Sequence, residues 1–81
     1  MSKSSTLIVR GLRVSNRSNR RFLVVAIREH VVTTDSGVYP RFARVEKRSD
    51  SLTTAKAHAR RLGYFPGGGH VVVDSLTGEE V

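Results

Sequence analysis

Phe22-Leu23-Val24-Val25-Ala26-Ile27 is an unbroken apolar run set between Arg20-Arg21 and Arg28, and it constrains the fold more than any other stretch of the chain. Its length is that of an ordinary strand and too short for a free-standing helix, and its β-branched and aromatic content favours the strand. A strand apolar on both faces belongs in the middle of a sheet, because water must be excluded from both sides. The flanking arginines place its two ends at a surface suited to an anion.

The other elements arrange themselves around that strand. Leu7 to Val14 reads as a first strand, with Leu7 and Val9 on one face, Ile8, Leu12 and Val14 on the other, and Gly11 as a bulge or close approach. Ser15 to Arg20 holds only Ser, Asn and Arg, and predicts a hairpin loop that displays arginines. The second strand is expected from Arg21 to Thr33. Leu23, Val25, Ile27 and Val31 share one face of it, and Phe22, Val24, Ala26, Arg28 and His30 share the other.

Thr34-Asp35-Ser36-Gly37 predicts a turn, and Val38 to Lys47 a third strand whose early Pro40 suits a sheet edge. Tyr39, Ala43 and Val45 then join the first core face, with Phe42, Arg44 and Glu46 opposite. Ser51 predicts the cap of a helix over Leu52 to Leu62, in which Leu52, Ala55, Ala59 and Leu62 form a narrow apolar stripe. Gly63 stands where a left-handed C-cap belongs, and Pro66 prevents continuation. His70 to Val73 is the fourth strand. The resulting expectation is an α+β fold of order β-β-β-α-β, a small antiparallel sheet of three to four strands with one helix packed on one face. Residues 1–5 read as a flexible basic tail and 6–81 as one domain.

A chain of 81 residues supports only a modest core, burying roughly 60 to 65% of its unfolded surface. It has no cysteine, hence neither a disulfide framework nor a thiolate metal site, which suits a reducing cytoplasm. The first residues lack a signal-peptide core, and no apolar run reaches membrane-spanning length, so a cytoplasmic location is expected. Asn16-Arg17-Ser18 matches a glycosylation acceptor only by coincidence in such a chain.

Charge carries the functional expectation. The net charge is +7, and residues 1–28 contain seven basic side chains and no acid, while residues 29–81 contain seven of each sign. The whole excess therefore sits in the first third, a distribution that attracts a polyanion. Eleven of the fourteen basic residues are arginine, whose forked donors fit phosphates and guanine edges.

The leading site is the loop group Arg13, Arg17, Arg20 and Arg21, assisted by Arg28, Arg41 and Arg44, with phosphate contact favoured over a merely solvated loop. The mixed face of Phe22, Arg28, His30, Phe42 and Arg44 has the composition of a single-strand stacking platform, although Phe22 reads better as core. Gly67-Gly68-Gly69 lacks the Lys-Ser/Thr of a P-loop and precedes a strand, so it reads as a connector, with Tyr64 and Phe65 as the apolar contact of the helix cap.

His30, His58 and His70 lack metal-ligand spacing, no nucleophile and base pair up, and no cofactor is implied. Nucleic acid, DNA before RNA, is thus the expected partner of a non-enzymatic protein, in the manner of a small bacterial or phage accessory protein. The alternative is an interaction module, a regulator or inhibitor that docks on an acidic protein. Attachment to anionic lipid is disfavoured by the lack of a basic amphipathic helix with large apolar residues. The alanine-lined helix leaves homodimerisation open. In element order alone, three strands followed by a helix resemble the sheet-reading arm-binding domains of integrases; no motif is shared, and no family follows.

Overall fold

The computed structural model describes residues 5–17 and 19–81. In chain order these form β1 (Ser5–Val9), β2 (Leu12–Asn16), β3 (Phe22–Arg28), β4 (Val32–Thr34), β5 (Gly37–Tyr39), β6 (Phe42–Ser49), α1 (Leu52–Leu62), β7 (Tyr64–Phe65), β8 (Gly68–Asp74) and β9 (Glu79–Glu80). The apolar run is central, as its composition requires: every residue of β3 is buried. It pairs antiparallel with β6 on one side and β8 on the other. The short β7 and β9 lie end to end along the outer edge of β8, giving a five-stranded sheet with β6 at the opposite edge.

Each face of β3 has its own cover. Leu23, Val25 and Ile27 pack with Val73 and the partly buried Ala43, Val45 and Val71, and the β1–β2 hairpin closes over them with Val9, Val14, Leu7 and Leu12. Phe22 and Val24 join Val72 on the opposite face, where α1 supplies Ala55, Leu52 and Ala59. The molecule is thus a hairpin, a sheet and a helix in three layers. Leu23, Val24 and Val25 are completely buried, and each such side chain contributes about 1.5–3 kcal/mol of burial free energy. Ala55 is also fully buried, so α1 lies close to the sheet.

The α+β class stands, but its details differ from expectation. The predicted first strand is two strands, because Arg10 (φ 50°) and Gly11 (φ 81°) both adopt left-handed conformations and reverse the chain in two residues. Two consecutive positive φ values are the mark of a type I′ hairpin turn, whose twist matches the strands it joins. The sheet has five strands instead of three to four, because β7 and β9 add short pairs to β8. The expected second strand ends at Arg28, and residues 32–39 form a separate two-stranded ribbon, β4–β5, around the predicted turn at residues 34–37. Val31 consequently lies 57% exposed instead of in the core. The shape is elongated, 43 × 24 × 19 Å.

The helix follows its sequence signals at both ends. The Ser51 side chain accepts from the Thr54 backbone N–H, and the N–H of Gly63, at φ 72°, donates to the Ala59 carbonyl. Leu62 is the exception in the apolar stripe, since it faces outward and is 40% exposed. Of the expected tail, residues 1–4 lie outside the described residues, and Ser5 opens β1. In the expected arginine loop, Asn16 ends β2 and is buried, while Ser18 lies outside the described residues.

Candidate functional site

Of the predicted arginines, Arg28 is enclosed, Arg20, Arg21 and Arg44 pair with acids while staying at least half exposed, and Arg13, Arg17 and Arg41 face solvent. Arg20 and Arg21 immediately precede β3, where the chain enters the sheet. Arg20 Nη1 donates to Asp50 Oδ2 at 2.6 Å, in the turn between β6 and α1. Arg21 forks onto Asp74 at the end of β8, with Nη2 at 3.0 Å and Nε at 3.3 Å from Oδ2, and its guanidinium carbon lies 5.1 Å from the centre of the Phe22 ring. Asp74 also accepts from the Leu76 N–H at 2.9 Å, so one nearly buried carboxylate fixes both the Arg21 fork and the turn after β8. Arg21 holds the Asp74 carboxyl below its ordinary pKa, and Asp74 raises that of Arg21 in turn. Asp50 is lowered in the same way by Arg20 and by the Arg21 N–H.

Arg28 departs furthest from its predicted role. It is 8% exposed and sits among aromatic rings, its guanidinium carbon 5.2 Å from the Tyr39 ring centre and 5.0 Å from those of Phe42 and Phe65. Nε donates to the Pro66 carbonyl at 2.8 Å and Nη1 to the Pro40 carbonyl at 3.2 Å, joining the β7–β8 and β5–β6 connections to the end of the central strand. Tyr39 therefore belongs to this cage and not to the first core face. The stacking platform expected from Phe22, Arg28, His30, Phe42 and Arg44 is not assembled. Phe22 lies under the helix, Arg28 is enclosed, and His30 is beyond the end of β3.

The remaining predicted residues lie on the exterior. Arg13, Ser15 and Arg17 are exposed, alternating with the buried Val14 and Asn16. Arg41 is exposed just before β6. Arg44 is 72% exposed, pairs with Glu46 on its own strand, and lies 5.7 Å from the Phe42 ring centre. β2 packs against β6, so the backbones that carry these cations run close together, although Arg44, opposite Ala26, points to the helix face while β2 covers the other.

Lys47 and Arg48, exposed on β6, add to these cations and were not among the residues singled out from the sequence. Their register shows why. A bulge between Val24 and Val25 shifts the pairing, so Lys47 lies opposite Val24 on the helix side and Arg48 opposite Leu23 on the hairpin side. One strand thereby shows cations on both sheet faces. The signal was present in Phe42-Ala43-Arg44-Val45-Glu46-Lys47-Arg48 as alternation that fails after Glu46.

Ion pairs account for most of the acids: Glu29, Glu46, Asp50, Asp74 and Glu80 each meet an arginine. Arg10, at the hairpin turn, holds both Glu29 and Glu80, and these two carboxylates raise its pKa. Among the described residues no ion pair reaches Arg13, Arg17, Arg41, Lys47 or Arg48, so the β2–β6 flank keeps its positive charge. No group of three or more His, Asp or Glu able to hold a metal ion occurs among the described residues.

A concave surface lies at the opposite edge of the sheet, along β7 and β8. A cleft of about 440 Å³ is bordered by Arg10, Glu29, His30, Tyr64, the Gly67–Gly69 segment and His70. Glycine is required at Gly68, where a Cβ would lie 2.0 Å from the Ile27 carbonyl oxygen, whereas a Cβ at Gly69 would meet only the Tyr64 ring, at 2.7 Å. Phe65 does pack inward, against Phe42 and His70. Tyr64, expected to pack at the helix cap, is instead 93% exposed. No helix among the described residues is long and apolar enough to cross a membrane. The chain matches no protein-family model, no curated protein and no solved structure.

Proposed function

We propose that this is a non-enzymatic nucleic-acid-binding protein whose β2–β6 flank contacts phosphates through Arg13, Arg17, Arg41, Lys47 and Arg48, with Arg44 beside them. One observation carries the reading. Five of the seven acids are drawn into pairs with Arg10, Arg20, Arg21 and Arg44, while cations on and beside β2 and β6 are left without acidic partners among the described residues. Side chains of that kind track a phosphate backbone without reading sequence.

If five phosphates are engaged, log K should fall with log salt at a slope of about −4 to −5 on duplex DNA. Fluorescence anisotropy across a salt series measures that slope. Replacing Arg13, Arg17 and Arg48 together by Gln should reduce its magnitude by about 2.7, at 0.9 per phosphate. Unchanged affinity and slope in the triple variant would refute the assignment.

A second reading rests on the unpaired outer edge of β6, which runs over Phe42–Ser49 and carries cations. An acidic partner protein that adds a strand there would use backbone hydrogen bonds for affinity and the cations for register. The same cations and the bulge also discourage unspecific pairing of an open edge. Co-purification separates the readings: absorbance at 260 nm removed by high salt favours nucleic acid, and a stoichiometric acidic protein favours the module.

A further inference from the structure

We propose that the cleft beside Tyr64 receives one unpaired nucleobase of a single-stranded nucleic acid, stacked on the Tyr64 ring. The inference rests on the nucleic-acid reading above but concerns a different surface, across the sheet from the β2–β6 flank. Tyr64 is the starting point, because its side chain contributes little to the core. At 93% exposure it is the most open large apolar side chain among the described residues, and its tie to the fold is the backbone pairing with Gly69. Its ring is turned onto the sheet. It lies so close over Gly69 that a Cβ there would come within 2.7 Å of Cδ1, leaving the rest of the ring open to a ligand.

The surroundings combine apolar surface with hydrogen-bonding groups, as a base requires. Polar groups, His30, His70 and the paired Arg10 and Glu29, border the cleft beside the apolar Ile27 and Val71, so a base can find both a stacking surface and hydrogen-bonding partners there. His70 is held in place through Nδ1, 2.8 Å from the Gly63 carbonyl, and its ring packs edge-on against Phe65. His30 is exposed and able to meet the hydrogen-bonding edge of a base.

Cations continue the track. Arg60 lines a depression that shares Tyr64 and His70 with the cleft, and Lys56 joins Arg60 in the next depression along the helix. Among the described residues neither has an acidic partner. Phosphates flanking the stacked base would run along Arg60 and Lys56. This combination of an exposed ring and a cationic path is how proteins hold single strands, and a duplex cannot use the ring because its bases stay stacked.

Tyr64 can be observed directly, since the chain has two tyrosines and no tryptophan. In a Tyr39→Phe background its fluorescence is titrated with a short pyrimidine oligonucleotide and, separately, with duplex DNA. The single strand should quench the emission, and the duplex should bind without quenching. Tyr64→Ala should lower single-strand affinity about 5- to 100-fold, as loss of one base-stacking contact does, and leave duplex affinity unchanged. Tyr64→Phe, which keeps the ring, should bind as the parent does. Circular dichroism checks that the variants remain folded. Equal single-strand binding by Tyr64→Ala and the parent would overturn the inference while leaving a salt-dependent duplex interaction standing. Absence of binding to either ligand at low salt would overturn both readings.

Discussion

Replacing Arg28 by alanine should cost most of the protein's stability, although the side chain is a charged arginine in a chain with an excess of them. The guanidinium donates to the Pro66 and Pro40 carbonyls and contacts three aromatic rings at 5.0–5.2 Å. Hydrogen bonds from a charged donor contribute about 1.5–3 kcal/mol each, and cation–π contacts add about 0.5–1 kcal/mol or more apiece. These contributions are not additive, and an overall loss of about 3–5 kcal/mol is expected from Arg28→Ala. A domain of 81 residues has a total stability of about 4–12 kcal/mol, so the variant should be marginally folded. Arg28→Met restores some apolar contact but no donor, and should recover about 1 kcal/mol of the loss. Urea denaturation followed by circular dichroism measures both. A loss below about 1 kcal/mol with an unchanged m-value would refute the structural role. A fall in nucleic-acid affinity without loss of stability would return Arg28 to the binding surface.

The cleft glycines and the carboxylates give further predictions. Gly68→Ala would place Cβ against backbone, 2.0 Å from the Ile27 oxygen and 3.0 Å from the Arg28 Cα, so β3 and β8 must separate; a loss of at least about 2 kcal/mol in urea denaturation is expected. Gly69→Ala meets the side chain of Tyr64, which can swing away, and should lose less than about 1 kcal/mol. Asp50 and Asp74 have folded-state pKa values below their ordinary one, so their pairing contributes fully above about pH 4 and is lost as the pH falls toward the folded-state values. Stability measured by urea denaturation should therefore drop on acidification from pH 5 to pH 2, and Asp74→Asn should flatten part of that drop.

The features that the sequence discloses are those settled within a few residues. β3 announces itself as an apolar run, and α1 carries its cap at Ser51, its stripe of Leu52, Ala55 and Ala59, and its stop at Gly63. The reversal at Arg10-Gly11 was hidden because arginine seldom takes a positive φ, so Gly11 alone read as a bulge. The β4–β5 ribbon was hidden because alternation through Val31 continues the pattern of β3 after the strand itself has ended. Fold class therefore emerged, and strand count did not.

The candidate site was legible in number and not in place. The sequence shows how many arginines crowd the first third, but their partners lie far along the chain: Asp50 for Arg20 and Asp74 for Arg21. Proximity in sequence made these arginines look unopposed, and folding supplies the acids. Arg28 shows a related effect, since the last residue of a central strand is carried into the interior whatever its charge.

Arginine thus performs two kinds of work here, and lysine can tell them apart. Arg21 and Arg28 use the fork: one grips the Asp74 carboxylate through two nitrogens, and the other reaches carbonyls in two different loops while lying against rings. A lysine carries the same charge but neither the planar fork nor the extended donor spacing. Arg21→Lys and Arg28→Lys should therefore both destabilise the protein, the buried Arg28 more. Among the described residues Arg13, Arg17 and Arg48 meet no carboxylate, and lysine there should change stability by no more than about 0.5 kcal/mol. If phosphates are their ligands, lysine should also preserve the salt slope, whereas glutamine should reduce its magnitude by about 0.9 per residue. A stability loss at Arg48→Lys as large as that at Arg28→Lys would contradict the division, because it would mean that the β2–β6 flank is held together by its cations and is not available to a ligand.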